Sequence, residues 1–598
     1  MARRFSSYLG WGIKVSPGSA EGPVAVESDR TLEKADAQRA LAAKVTRLLG
    51  LPPRKRVEEI VADPQATEIV QAMAEEELYF TFKEVGDHDG LPLLELASPG
   101  QRQYATDLEL WRKDEFHPER ALDWVALLQE RGPDALRTWL RESEPELICL
   151  LLKKWIRVHK WNRVEDPEEP PHFTLDQVYY MEFLEPRREK TLKGLLRTLA
   201  EADLASYHQT LDHVSWHTGA ELEEHLRHFR ASRLAEKGFP DLDEALSIYA
   251  PMSPERFKSM QAAGRLLVPA PTEDAGLAPE YALVRQPEGT LFRAAMGEVR
   301  DPHAVDRIKR ELAALANRVL VADGLTPEDV ATLQSSLVKA GGYVSIGLER
   351  LVSRDVLHAG KVLAVTPLTF LFQVGFAAVI EVQRQAEGKV MRWLRECGLS
   401  PEFLGEPWNA QLQGLLRKRP KRHAGGRGGE PFYEEFASLE QLREVEHTVG
   451  MTNLVGDVLL GLMPAGSWAA GWRAFRRREP GKSPLVTWRV ILLSAFVRGV
   501  LSLRFFPERL TPAEIREFLE RIWEPKRKPR RVALRWKREL AAWVAGLARR
   551  HPKEMEALVH ELSLTLEEEL AEVTAEHLQP RYLETLFLVA EETAETEL

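Results

Sequence analysis

Proline recurs directly after a capping or turning residue in this chain, at Ser98-Pro99, His117-Pro118, Gly132-Pro133, Glu144-Pro145 and Ser253-Pro254, and no other feature restricts the fold as strongly. The first amide of a helix has no intrahelical partner, so proline is tolerated there and nowhere else in the helix. Each such pair therefore opens a helix. The spacing implies helices of roughly 10 to 15 residues joined by roughly 2 to 6, the pattern of helical hairpins and stacked arrays. Ser98-Pro99-Gly100-Gln101 and Thr511-Pro512-Ala513-Glu514 add capping boxes. Strand-like alternation is rare, and no fixed-period repeat emerges. The expected fold is mainly α: a multi-helical array of short helical hairpins, solenoid-like in the N-terminal part, with little or no β-structure.

Breaks in composition divide the chain into an irregular segment at 1–31, a helical-hairpin array at 32–165, and a central helical region at 166–268. A proline-rich linker at 269–290, with Pro269, Pro271, Pro279 and Pro287, precedes a second helical domain at 291–416. A basic, glycine-rich loop at 417–430 then leads into a C-terminal helical domain at 431–598, which has a basic linker and an acidic end. Leu147 to Trp161 reads as one helix. His172 to Phe183 fits either a strand or a short aromatic-rich helix.

Composition removes several classes. Cys149 and Cys397 are the only cysteines and lie far apart, which excludes a disulfide framework and a cysteine-based zinc site and fits a reducing cytoplasm. The basic start, Met-Ala-Arg-Arg, lacks the apolar core of a signal peptide, so a cytoplasmic location is expected. Val362 to Ile380 carries no charge and is the one membrane candidate, but Pro367, Gln373 and two threonines dilute it, and a helix buried on all sides is expected. Net charge is −10, yet the segment from Arg417 to Arg538 holds 26 Lys+Arg and 13 Asp+Glu, a local 26 − 13 = +13 that leaves −23 for the rest. Either oppositely charged parts of the fold meet, or the basic part faces an anionic partner.

The densest grammar lies between Thr218 and Tyr249. Thr218 with Glu221 is a capping box, Gly238 stops the helix, and Asp241 with Glu244 opens the next. Five of the sixteen histidines fall between His208 and His228. His213 and His217 have the i, i+4 spacing that lets two imidazoles reach one metal. They fall opposite the apolar face of Leu204, Tyr207, Leu211 and Val214, and no glutamate completes a zinc-protease pattern, so a solvated or inter-helix pair is expected. On the following helix the stripe Leu222, Leu226, Phe229 continues into Arg233. A guanidinium on a buried face needs a carboxylate, and Asp241, Asp243 and Glu244 are nearest in sequence, across the Gly238-Phe239-Pro240 corner. An ion pair that locks the corner is expected. The alternative is a ladder of Arg227, Arg230 and Arg233 presented to an anion.

Arg476, Arg477 and Arg478, and Lys526, Arg527, Lys528, Arg530 and Arg531, interleave with Trp472, Phe475, Trp523 and Trp536. Such a mixture suits phosphate backbones and base stacking, and equally suits solvated loops. Gly341-Gly342 lacks the lysine of a phosphate loop. No nucleophile elbow is present.

Arg230-x-x-Arg233-Leu234 before Gly238-Phe239-Pro240 and Glu244-Ala245-x-x-x-Tyr249 resembles a bacterial family classed among domains of unknown function, of the number 6178 type. So do Leu96-Ala97-Ser98-Pro99-x-Gln101-x-x-x-x-x-Asp107-x-x-x-Trp111 and Phe370-Leu371-Phe372-Gln373-Val374-Gly375. The resemblance spans most of the chain up to about residue 400. It implies a shared architecture and no particular activity, cofactor or catalytic residue.

The favoured expectation is a cytoplasmic helical scaffold or adaptor that acts by protein–protein interaction, without a cofactor. The alternatives are a metal- or anion-dependent enzyme or sensor with its site near residues 208–233, and nucleic-acid or anionic-surface binding through residues 417–538.

Overall fold

The computed structural model describes residues 40–586 except 113, 163–167, 169, 269–277, 328–329, 428–429, 469–485, 504–509, 526–529, 574–582 and 584. The fold is mainly α, with three small antiparallel sheets. The helices and strands that position the sites are, in chain order, α1 (Glu75–Val85), α2 (Pro99–Glu109), α3 (Pro145–Trp155), β1 (Ile156–Lys160), β2 (Phe173–Thr174), β3 (Tyr179–Phe183), α4 (Leu204–Trp216), α5 (Gly219–Glu236), α6 (Pro302–Asp323), α7 (Val330–Val352) and α8 (Leu368–Gln385).

The proline punctuation is realised locally. Pro99, Pro118, Pro133 and Pro145 each sit in the first turn of a helix. Ser98 Oγ accepts the Gln101 N–H at 3.3 Å while the Gln101 side chain accepts the Ser98 N–H at 2.8 Å. The same reciprocal box closes at Thr218–Glu221 and at Thr511–Glu514.

Helix α3 ends at Trp155, short of the helix to Trp161 that was expected. At Ile156 the backbone turns extended (φ −131°, ψ 152°), and Ile156–Lys160 pairs antiparallel with Tyr179–Phe183 in a three-stranded sheet of order β1-β3-β2. Ile156 and Val158 alternate with Arg157 and His159, a period of two that suits a strand with one covered face. The 172–183 segment accordingly contributes strands, not a helix.

Three apolar clusters organise the interior. One gathers Val45 to Ala97, a second Tyr79 to Leu234, and the largest joins Phe80 to side chains from Ala245 through Leu586. That last core is continuous across two of the expected boundaries. Tyr281 and Ala282 are buried in a short helix, so the 278–290 half of the proline-rich segment packs into the core, while 269–277 lies outside the described residues. The 417–430 segment forms a hairpin in place of the expected loop, its strand Arg422–Arg427 pairing antiparallel with Glu430–Glu434.

The apolar run 362–380 is divided at Thr366-Pro367 between a helix at Val356–Val365 and α8. No helix among the described residues is long and apolar enough to cross a membrane. α8 packs on α7 through glycine. A Cβ on Gly375 would stand 1.9 Å from the Tyr343 carbonyl oxygen, and one on Gly347 would stand 2.1 Å from that of Leu371. The two backbones are thus in direct contact. Gly341 and Gly342 are interior residues of α7, pressed against the Gln286 side chain and the Phe436 carbonyl, so they form no anion-binding loop.

Candidate partner-binding cleft

The expected partners of Arg233 do not take it. Its Nε and one terminal nitrogen grip the Asp107 carboxylate at 2.8 and 2.7 Å, and the other terminal nitrogen reaches Glu144 at 2.5 Å. Asp241 instead caps the next helix by accepting the Glu244 N–H at 2.8 Å, and Glu244 meets Arg318 at 3.2 Å. The phase assignment explains the miss. The buried ridge of α5 is Leu222, Leu226, Arg230 and Leu234, an unbroken i, i+4 row, whereas Phe229 is exposed. Arg233 stands at the edge of that ridge, facing the start of α3 and the last turn of α2.

Arg230 is the buried arginine. Its Nε donates to the Asp107 carbonyl oxygen at 2.7 Å, and its guanidinium lies 5.5 Å from the centre of the Trp111 ring. Burial pulls its pKa down, and burial pushes that of Asp107 up against the opposing pull of Arg233. The two motifs carrying the family resemblance in this half of the chain are therefore the two sides of one latch, Asp107 and Trp111 on one side, Arg230 and Arg233 on the other. Arg227 pairs with Glu224 at 2.6 Å on the outer face. Arg230 and Arg233 converge on Asp107 while Arg227 turns to the outer face, so the three make no ladder.

The Tyr249 end of the same stretch is tied down too. Its hydroxyl donates to Asp323 at 2.9 Å, and Asp323 also receives Lys339 at 2.6 Å and Arg419 at 2.9 Å. Burial of Lys339, 2 % exposed, requires that company.

His213 and His217 pack edge to face with ring centres 5.2 Å apart. His217 is exposed, and the buried side of α4 is Tyr207, Thr210, Leu211 and Val214. The described residues place no carboxylate within ligand distance of this pair; the metal-compatible group among them is His159, His172 and Glu182.

Part of the basic C-terminal charge is matched inside the fold. Arg419 meets Asp323, Lys421 meets Glu435 at 3.1 Å, Arg489 meets Glu561 at 2.6 Å, and Glu567 draws both Arg531 at 2.5 Å and Lys537 at 3.0 Å. Arg530 donates to the Val573 carbonyl at 3.0 Å. Arg476, Arg477, Arg478, Lys526, Arg527 and Lys528 lie outside the described residues.

One large opening lies at the C-terminal end of α5, a cleft of about 1170 Å³. Its walls are the first turn of α1, the start of α2, the C-terminal end of α5 and the N-terminal half of α6. Six carboxylates line it, Glu75, Glu76, Glu77, Glu236, Glu280 and Asp306, against the cations Lys237, Lys309 and Arg310. Lys237 is held by Glu75 at 2.9 Å and Lys309 by Glu280. Glu77, 1 % exposed, accepts the N–H groups of Glu280 and Tyr281 at 2.9 and 3.1 Å. Burial outweighs those bonds and pushes its pKa up to about 8. The sequence carried one local sign of this wall, the run Glu75-Glu76-Glu77, which alone reads as ordinary helix N-terminal charge.

These features define a mainly helical protein whose helices are tied by long-range ion pairs around an acidic cleft. Residues 33–589 match the model of a family of unknown function, DUF6178, and the chain belongs to that family. No curated protein and no solved structure matches it.

Proposed function

We propose that this protein is a cytoplasmic helical scaffold or adaptor whose cleft between α1 and α6 receives a basic segment of a partner protein. The observation that carries the reading is the excess of five carboxylates that are not fully buried, Glu75, Glu76, Glu236, Glu280 and Asp306, over three cations in an opening large enough for several residues of extended chain. Complementary charge of this kind speeds encounter and selects partners. The cleft walls are helices fixed from outside by the Arg233 latch and by the Tyr249–Asp323 bond, so the surface is formed before a partner arrives. Two buried free cysteines, Cys149 and Cys397, fit a reducing compartment. The pairing of Arg419, Arg489, Arg531 and Lys537 with carboxylates outside the basic segment, Asp323, Glu561 and Glu567, favours the first of the two explanations for the charge asymmetry over an anionic partner.

The test is a photo-crosslinking residue at Asp306, introduced in the native host. It should capture one stoichiometric partner, and the pair Glu236→Lys with Asp306→Lys should abolish capture by a crosslinker moved to Ala314 while leaving the melting temperature unchanged. Failure to capture any protein, or capture that survives the charge reversal, sinks the reading.

A further inference from the structure

Beyond the cleft, on the small sheet of the N-terminal half, three metal-ligating side chains converge, one from β1, one from β3 and one from the residue that precedes β2. The register sets this up. Arg157 lies opposite Glu182 and His159 opposite Tyr180 on one side of β3, and Phe173 lies opposite Met181 on the other. Continuing the β2 ladder by one residue puts His172 beside Glu182. Side chains alternate across a sheet, so His159, Glu182 and His172 share the face opposite Ile156, Met181 and Phe183, which join the helical core. The fold therefore gives these polar groups no packing role in that core.

We propose that His159, His172 and Glu182 form a divalent transition-metal site, with zinc(II) as the ion its donors suit. Each offers a donor atom within 4.8 Å of the other two, and His159 Nε2 stands 3.8 Å from Glu182 Oε2. Donors bound to one tetrahedral zinc are about 3.3 Å apart, since the metal–ligand bonds are about 2.0–2.1 Å. Binding therefore requires the side chains to turn so that their donors close by that difference onto one ion. The imidazoles stack with ring centres 5.2 Å apart and planes at 17°. Two imidazoles with one carboxylate suit zinc, nickel, cobalt or iron(II) over magnesium or calcium. With His159 and Glu182 more than a third exposed, the described residues leave a fourth position to water or to a ligand. Among the described residues Arg157, 3.5 Å from Glu182, competes for the carboxylate, and the metal must displace it.

The full-length protein, titrated with cobalt(II) as the coloured surrogate and with zinc(II) by calorimetry, should bind one ion per chain, with visible d–d bands of low coordination number. His159→Ala and His172→Ala should each remove the bands, Glu182→Gln should weaken binding at least tenfold, and Arg157→Gln should strengthen it by freeing Glu182. His213→Ala with His217→Ala should change nothing. The assignment fails if no ion binds below millimolar concentration, if the bands persist in His159→Ala and His172→Ala, or if only the His213/His217 variant loses them. Near-UV circular dichroism of each variant separates loss of ligand from loss of fold, and the gain from Arg157→Gln cannot arise from unfolding.

Discussion

Arg233 holds Asp107 with two nitrogens at 2.8 and 2.7 Å across 126 residues of chain. Asp107 is nearly buried and Arg233 about a third exposed, so the carboxylate is the group that suffers when the pair is broken. Replacing Arg233 with methionine should destabilise the fold by about 1–3 kcal/mol, below the full value for a buried pair because of the exposure. Urea unfolding would measure it, and the further change Asp107→Asn should recover part of the loss. Unchanged stability in Arg233→Met would show that the latch holds nothing.

Glu77 gives stability a pH dependence of unusual sign. The carboxyl ionises near 4.5 when solvated and near 8 in the fold. At low pH it is neutral in both states and its contribution is fully present. As pH rises from about 4.5 to about 8 the unfolded chain releases the proton and the folded chain does not, so stability falls, and above 8 the loss is complete. Its total is on the order of 2–5 kcal/mol. Glu77→Gln mimics the neutral acid and keeps an acceptor for the Glu280 and Tyr281 amides. Thermal melts from pH 5 to 8 should show a flatter profile for the variant and higher stability than wild type at pH 8. Parallel profiles would exclude Glu77 as the source.

The α7–α8 seam sets up a matched pair of glycine substitutions. Gly375→Ala forces a methyl group to within 1.9 Å of a backbone oxygen, whereas a Cβ at Gly388 meets nothing within 4 Å. The first should cost more than about 3 kcal/mol or prevent folding, because neither helix can withdraw without opening the core. The second should be neutral to slightly stabilising, since alanine is the better helix former. Comparable melting temperatures for the two variants would contradict the close approach.

The hairpin at 422–434 is tied to the core from its base by Arg419 on Asp323 and Lys421 on Glu435. Arg419→Ala should raise hydrogen exchange in the hairpin selectively, by tenfold or more if about 1.4 kcal/mol of local protection is lost. Uniform exchange throughout the molecule would show that the hairpin does not open on its own.

Helix boundaries were largely legible because they are local: a serine, a proline and a glutamine within four positions specify a helix start whatever surrounds them. The partner of Arg233 was not. Asp107 and Glu144 come from helices far away in sequence, and nearness along the chain pointed to Asp241–Glu244, which are occupied as cap and surface pair. Strand β1 was hidden because no glycine or proline separates it from α3, and the five residues Ile156–Lys160 are too few to show a change of period. The cleft joins residue 75 to residue 310, and the ligand trio depends on β-register; neither relationship leaves a trace in spacing.

Helix α6 spans 22 residues, about 33 Å at the α-helical rise. Asp306 and Lys309 at one end face the cleft, and Asp323 at the other holds Tyr249, Lys339 and Arg419. It is a rod with a load at each tip. A tilt of one degree about its midpoint displaces both ends by about 0.3 Å in opposite senses, so anything wedged into the acidic opening also tugs on the guanidinium that pins the hairpin.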